Sequence, residues 1–166
     1  MDSWSLTLLG GFELRPTNGA VIDLPGQKDR ALLALLAMGS GDVHSRERLA
    51  GLLWSEHGDR QARDSLKQAL VRLRRCVGGV EGGVLRTDRQ SIALDRTAFD
   101  VDVLAFERLV AAGTLDSLAR ATEIYRGDLL EGIAIRDPAE PRCDIGAYEL
   151  GVSIFSDGFE QSGINN

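Results

Sequence analysis

The chain has 166 residues, 43% of them apolar, which is enough to build the core of one ordinary domain or of two small ones. Its formal net charge is −6, so a surface that is basic throughout is excluded, and contact with nucleic acid would need a local cluster of Lys and Arg. The longest apolar run is too short to span a bilayer, so we expect no membrane role.

The first part of the chain predicts a small sheet followed by a helix. Apolar and polar residues alternate in Leu6 to Leu8 and in Phe12 to Leu14, and a tight-turn signal at Asn18-Gly19 follows them. These patterns predict an antiparallel sheet. Gln27 to Met38 is rich in Ala and Leu and stops at a glycine, which predicts a largely buried first helix.

Two more helices and a hairpin are predicted next. Ser45 is an N-cap residue before a short amphipathic helix that ends near Trp54. After a polar loop, a third helix carries one buried stripe, formed by Leu66, Leu70, Leu73 and Val77 and ended by Gly78-Gly79. Val84 to Thr87 and Ser91 to Leu94 then flank a polar turn, which predicts a β-hairpin. Sheet, three helices and hairpin is the order of a winged helix, an α+β fold.

The third helix is the candidate DNA-binding element. Between Arg60 and Arg75 there are six basic residues and one acid, a local charge of +5. Arg and Lys donate to guanine or phosphate and Gln pairs with adenine, so such a face suits the major groove. A solvated helix face is the alternative interpretation of the same charges. The candidate contacts on this helix are Arg63, Ser65, Lys67, Gln68, Arg72 and Arg75, and those on the hairpin, as a wing, are Arg86 and Arg89.

Beyond Asp95 the pattern becomes helical. Asp102 to Ala112 and Leu115 to Leu130 have apolar residues at intervals of three and four, which predicts two helices followed by irregular chain from Asp137. We therefore divide the chain into residues 1–98 as a winged helix, residues 99–137 as a short all-α segment and residues 138–166 as an irregular, disordered tail.

Several segments in this order carry a resemblance to one family. They are Leu6–Gly10, Arg30–Ala37, Ser45–Trp54, Ser65–Arg75, Phe99–Asp102 and Tyr125–Gly132. Together they resemble the bacterial regulators of the antibiotic regulatory protein type, in which an OmpR-like winged helix precedes a bacterial transcriptional activator domain. The resemblance covers roughly residues 6–139, and it implies a cytoplasmic transcription regulator.

The resemblance also implies partners. The third helix would read direct repeats in double-stranded promoter DNA, with two copies bound side by side as a possible dimer on the DNA. The loop after the second helix would face RNA polymerase, and its candidate residues are Glu56, His57 and Asp59. No cofactor is implied.

The end of the chain departs from that family. The helical domain is cut short near Asp137, and Cys143–Glu149 and Phe155–Glu160 resemble instead the carboxyl-terminal ends of secreted β-helix proteins. We therefore interpret residues 139–142 as lying near a fusion, truncation or assembly junction.

Other chemistry finds little support in the sequence. His44 and His57 have no Cys or carboxylate at metal-ligand spacing, no Ser, Cys or Asp arrangement completes a catalytic triad, and no phosphate-binding glycine motif is present. We expect no enzyme and no metal site. Two cysteines outside any metal or disulfide pattern favour a reducing compartment, and Cys76 is expected to be a small buried residue. The alternative function is a protein-interaction module that uses the helical segment Asp102 to Leu130.

Overall fold

The computed structural model of the chain describes residues 3–39, 43–77 and 83–133. The strands in these ranges are β1 (Trp4–Thr7), β2 (Glu13–Pro16), β3 (Val43–Ser45), β4 (Leu85–Thr87), β5 (Ser91–Leu94) and β6 (Phe99–Val101). The helices are α1 (Gln27–Met38), α2 (Arg46–Leu53), α3 (Asp59–Val77), α4 (Asp102–Ala112) and α5 (Leu115–Ile124), with a 3-10 turn at Arg96–Ala98. The fold is therefore mixed α+β.

The N-terminal sheet has the strand order β2–β1–β6. β1 pairs antiparallel with β2, as the alternating sequence predicts. β6 pairs parallel with β1, so the sheet is mixed and the expectation of an antiparallel sheet is correct only for its first two strands. The chain after the Asn18-Gly19 turn adds a single bridge, between Ile22 and Leu14 of β2, while β6 takes the other edge of β1.

The three helices that follow pack on one core. α1 occupies the predicted range, and its apolar residues from Ala31 to Met38 are all buried. Ser45 caps α2 as predicted, since its Oγ accepts the N–H of Arg48 at 3.3 Å. α3 packs against both helices through the predicted stripe. The Gly78-Gly79 pair predicted to end α3 lies outside the described residues.

The second sheet has the strand order β3–β5–β4. β4 and β5 form the predicted hairpin, and Ile92 is fully buried between the sheet and the helices. β3, which the sequence does not predict because it is only three residues long, pairs antiparallel with β5. This pairing ties the start of α2 to the hairpin, and Arg46 N–H donates to the Gln90 carbonyl at 2.9 Å.

The helical segment is fastened to the N-terminal sheet. α4 has the predicted bounds, whereas α5 ends at Ile124, so the expectation of a helix up to Leu130 is wrong. The chain turns back instead, because Leu130 N–H donates to the Leu8 carbonyl at 2.8 Å and Gly10 N–H to the Asp128 carbonyl at 2.9 Å. Gly10 has φ +79°, and a Cβ there would lie 2.8 Å from the carbonyl of Arg126, so this close approach requires glycine.

One apolar core joins the two parts. Leu6, Leu8 and Leu14 from the sheet, the buried face of α1 and Val103 from α4 belong to the same cluster of buried side chains. None of the helices described is long and apolar enough to cross a membrane. The residues assigned to the irregular tail, 138–166, lie outside the described residues.

Candidate nucleic-acid interface

α3 presents one face to the core and the other to solvent. The buried positions recur at intervals of three and four residues, as expected for a helix that turns about 100° per residue. They are Ala62, Leu66, Ala69, Leu70, Leu73 and Val77. The opposite half of α3 is therefore free to contact a partner.

The exposed half of α3 carries concentrated positive charge. Arg60, Arg63, Lys67 and Arg75 are all exposed, and they belong to the stretch with a local charge of +5 in a chain of net charge −6. Arg63 Nε donates to the Asp59 carbonyl at 3.1 Å, which holds its side chain along the first turn of the helix. This surface is suited to attract an anionic partner such as a phosphate backbone.

Four of the cations follow the edge of α3 that leads to the hairpin. Arg60, Arg63, Lys67 and Arg74 are separated by three, four and seven residues, so they lie along one line on the helix. We call this line the basic row. Arg74 is half-buried and donates a hydrogen bond to Thr87 Oγ1 on β4. The basic row therefore ends in direct contact with the hairpin.

The other edge of α3 borders an open groove of about 470 Å³ beside the start of α1. The residues of α3 that line it are Gln61, Asp64, Ser65, Gln68 and Arg72. Gly26 to Asp29 and Trp54 form the rest of its wall. Amide and hydroxyl groups both donate and accept hydrogen bonds, so Ser65 and Gln68 can pair with base edges that enter this groove.

Arg72 is held by an acid in α1. Its Nε lies 2.6 Å from Asp29 Oδ2 and its Nη2 lies 2.8 Å from Asp29 Oδ1. Asp29 is 1% exposed, whereas the Arg72 side chain is 46% exposed. Hydrogen bonding to Asp29 raises the pKa of the Arg72 guanidinium. Arg72 is thus a fixed cation that joins the start of α1 to α3.

The hairpin turn is ordered by Asp88. Its carboxylate accepts the N–H of Gln90 and the N–H of Ser91, both at 2.7 Å, and the Ser91 hydroxyl at 2.5 Å. The Ser91 hydroxyl and the two backbone N–H groups hold the pKa of Asp88 below its ordinary value. Arg86 and Arg89 flank Asp88 on the solvent-exposed side of the hairpin. A rigid turn therefore carries both predicted wing arginines.

The loop between α2 and α3 is linked to α1. Glu56 forms an ion pair with Lys28, and its Oε1 lies 3.1 Å from His57 Nδ1. Burial is the largest single influence on the pKa of Glu56 and raises it, but the hydrogen bond from Lys28, a backbone hydrogen bond and the nearby charges together hold this pKa below its ordinary value. Asp59 is the first residue of α3 and is exposed. Of the three residues predicted to face a polymerase, Glu56 is thus held by its ion pair with Lys28, and Asp59 is an exposed carboxylate.

Three residues that position this surface escaped the sequence interpretation. Lys28 and Asp29 hold Glu56 and Arg72, and Arg46 Nη1 donates to the Asp88 carbonyl at 3.1 Å in the hairpin turn. Asp29 had a signal in the sequence, since it is an acid at the start of a helix otherwise dominated by buried Ala and Leu. Lys28 and Arg46 had none, because their partners are set by loop geometry.

The described ranges contain no group of three or more His, Cys, Asp and Glu side chains placed to hold a metal ion. Cys76, near the end of α3, is partly buried, and burial raises the pKa of its thiol. Cys143 lies outside the described residues.

The chain shares its fold with part of a protein of solved structure. It is similar to Mycobacterium tuberculosis EmbR in complex with a low affinity phosphopeptide, with 24% sequence identity and a TM-score of 0.62 over 80% of this chain. The chain spans 38% of the length of that protein. No protein-family model and no curated protein matches the sequence. The likeness to EmbR shows the fold, a mixed α+β arrangement consistent with a winged helix.

Proposed function

We propose that this protein is a bacterial transcription regulator that binds double-stranded promoter DNA through a winged helix-turn-helix. α3 enters the major groove and the β4–β5 hairpin acts as the wing. The observation that carries the proposal is the exposed basic row of α3, which runs into a hairpin with two exposed arginines. The fold shared with EmbR is consistent with a winged helix, and the resemblance to the antibiotic regulatory protein type supports a DNA-binding regulator.

The contacts divide by chemistry. Lys67 and Arg63 on the basic row, with Arg75, supply phosphate or guanine contacts, because long cationic side chains reach both. Gln68 and Ser65 face the groove and read base edges. These residues have no ion-pair partner among the described residues, so their binding groups are available.

The other predicted contacts complete the surface. Arg86 and Arg89 bind sugar-phosphate or the minor groove from the wing. Arg72 lines the groove, where its guanidinium forms an ion pair with Asp29.

The assembly follows from the resemblance. Two copies bind side by side on direct repeats, and the loop with Glu56, His57 and Asp59 faces RNA polymerase. Residues 1–98 carry the DNA contacts, and α4 and α5 form the helical segment. The setting is the bacterial cytoplasm. No catalytic residue is assigned.

A binding selection from randomised duplex DNA with the full chain tests the proposal. We expect an enriched repeated motif, followed by affinity that falls steeply with salt in fluorescence anisotropy titrations. Removing one phosphate contact with Lys67→Ala is expected to make the slope of log K against log salt shallower by about 0.9. The matched control is Arg120→Ala, which removes an exposed cation from α5, and its slope is expected to equal that of the wild type.

A folded chain that enriches no motif and binds DNA without salt dependence would contradict the proposal. Equal effects of Lys67→Ala and Arg120→Ala would also contradict the assignment of α3, since any cation would then serve.

A second function is favoured by the apolar surface of the helical segment. On α5 and just after it, Leu115 is 89% exposed, Leu118 is 40% exposed and Tyr125 is 49% exposed. Exposed apolar side chains in one region mark protein contacts. In this alternative the chain is a protein-interaction module, with RNA polymerase as the candidate partner. Leu115→Ser with Leu118→Ser would then abolish polymerase binding and leave DNA affinity unchanged in the same titrations.

A further inference from the structure

The ion pair between Arg72 and Asp29 uses only one edge of the planar guanidinium group. Arg72 Nε and Nη2 donate to the two carboxylate oxygens of Asp29 at 2.6 and 2.8 Å. A guanidinium has five N–H donors in a rigid fork, so this side-on pairing leaves both N–H groups of Nη1 and the second N–H of Nη2. No group among the described residues is seen to accept a hydrogen bond from Nη1. Two parallel donors at the end of the fork therefore stay available.

Asp29 has the properties of a fixed support. It is 1% exposed, and a buried carboxylate without a partner is strongly disfavoured, so it keeps Arg72 in place. Its backbone is fixed as well, because its N–H donates to the Gly26 carbonyl at 3.1 Å in the first turn of α1. An exposed arginine on a helix samples many rotamers, whereas Arg72 is restricted to the one that meets Asp29.

The surroundings of Arg72 differ from those of the other cations. Arg72 lies off the basic row, in a groove that it lines with the neutral side chains of Ser65 and Gln68. The groove also holds Lys28, Asp29 and Asp64, so its cations and acids are equal in number, whereas the basic row provides the charge that follows a phosphate backbone. Donors held rigidly in a groove without excess positive charge suit a ligand with two fixed acceptors, and guanine presents O6 and N7 in this way in the major groove.

We propose that Asp29 is a positioning residue that orients Arg72 to read a guanine edge in the groove between α1 and α3. The inference rests on the proposed DNA-binding function and names the base contact of its recognition surface. Asp29 itself touches no DNA. Two parallel phosphate oxygens offer the same acceptor geometry, and the two ligands differ in whether the contact depends on sequence.

The test compares Arg72→Lys and Asp29→Asn in the full chain on the selected duplex and on duplexes with one base pair changed. Arg72→Lys keeps a cation beside Asp29 and removes the fork. We expect it to lower discrimination at one G·C pair by about 5- to 150-fold, the range for a bidentate contact, with an unchanged salt slope. Asp29→Asn is expected to lower discrimination at the same pair, although it leaves every donor of Arg72 in the chain.

Two controls separate positioning from stability. Lys67→Ala is expected to weaken binding to all duplexes alike. The double variant Asp29→Leu with Arg72→Met replaces the ion pair by apolar side chains, a change that commonly preserves folding. It is expected to remain folded by circular dichroism and to lose discrimination at the same base pair, which a role in folding alone would not produce.

The outcomes are distinct. If both single variants lower stability but keep the wild-type discrimination, the pair only fastens α1 to α3 and the inference is overturned. If Arg72→Ala weakens all duplexes equally and makes the salt slope shallower, Arg72 contacts phosphate and the guanine assignment is overturned. If the wild-type chain selects no DNA sequence, the proposed function fails together with the inference.

Discussion

Asp29 is a buried acid in the first turn of α1, next to the buried apolar run from Ala31 to Met38, and Arg72 makes its burial tolerable. Burial removes the carboxylate from water, and the two hydrogen bonds from the guanidinium replace the lost hydration. The fold therefore requires this ion pair, independently of any contact with DNA.

Removing Arg72 is expected to destabilise the fold. Arg72→Ala leaves Asp29 buried without a partner, and we expect the free energy of unfolding to fall by about 2–3 kcal/mol, below the range for fully buried pairs because water reaches the guanidinium. Arg75→Ala removes a fully solvated neighbour on the same helix and is expected to change stability by less than about 0.5 kcal/mol. Urea denaturation measures both, and equal losses would argue against the role of Asp29.

The pH dependence of stability has a contribution from the hairpin turn. The hydroxyl of Ser91 lowers the pKa of Asp88 from its ordinary value of 3.8, and that of Thr97 does the same for Asp95. A carboxyl with a lowered folded pKa adds stability above its ordinary pKa, and this stability is lost as the pH falls through the lowered value. We therefore expect stability to decline below pH 3.8.

Ser91→Ala tests this assignment. It removes the main cause of the shift at Asp88, so the carboxyl resonance of Asp88 in an NMR titration is expected to move toward its ordinary pKa, while that of Asp95 stays unchanged. Movement of both resonances would indicate a general loss of structure.

For single residues, the sequence predicts which side chains are exposed better than it predicts which side chains contact one another. The helical period places Lys67, Gln68 and Arg75 on the solvent face, and the structure agrees. The same period cannot show that Arg72 meets Asp29, because that contact joins two helices and depends on how they pack. The available clue was an acid in the polar first turn of a helix whose remaining residues are apolar.

Among the elements, α4 depends on its first residue. The carboxylate of Asp102 accepts the N–H groups of Leu8 and Leu9 from β1 at 2.9–3.0 Å, and that of Val103 at 2.8 Å. One side chain thus accepts an N–H in the first turn of α4 and continues β1 beyond its last ladder pair. This contact holds the helical segment on the N-terminal sheet.

Asp102→Ala is expected to lower the free energy of unfolding by about 2–4 kcal/mol, because the N–H groups of Leu8 and Leu9 are left without acceptors. Asp102→Asn keeps one acceptor oxygen and is expected to lose less. Asp100→Ala, at an exposed position of β6, is the matched control and is expected to change stability by less than about 0.5 kcal/mol. Thermal unfolding of the three variants gives the order, and a loss as large for Asp100→Ala would contradict the role of Asp102 as acceptor for Leu8 and Leu9.

Local patterns predict the elements that are long and periodic. α1 and α4 have their predicted bounds because apolar spacing and glycine stops agree there. α5 is shorter than predicted because the backbone after Tyr125 forms its hydrogen bonds with the end of β1. Strands β3 and β6 have three residues each, too few for a periodic signal, and their partners lie far away in the chain.

For the whole molecule, charge is unevenly distributed. The stretch from Arg60 to Arg75 carries +5 in a chain of −6, so the remainder is strongly acidic. Acidic surface outside the interface repels DNA that approaches in the wrong orientation. Under the proposed function, this distribution would favour approach of DNA along α3.

Neutralising remote acids tests this distribution. Asp116→Asn with Glu123→Gln removes two exposed charges from α5, and we expect stronger binding to DNA of random sequence at 10 mM salt, where screening extends over about 30 Å. At 0.15 M salt the Debye length is about 8 Å, and the difference is expected to disappear. A gain that persists at 0.15 M would mean that α5 itself lies close to the DNA.

The parallel pairing of β6 with β1 also sets the order in which the protein is completed during synthesis. β1 gains its second neighbouring strand only when Phe99 pairs with Trp4. The N–H groups of Leu8 and Leu9, which follow β1, gain an acceptor only when Asp102 is in place. Contacts between such distant parts of a chain form slowly, because a long loop must close first. β1 leaves the ribosome long before β6 and is thus among the last strands to gain both of its neighbours, so a nascent chain stopped before α4 would expose the edge of β1 to other molecules.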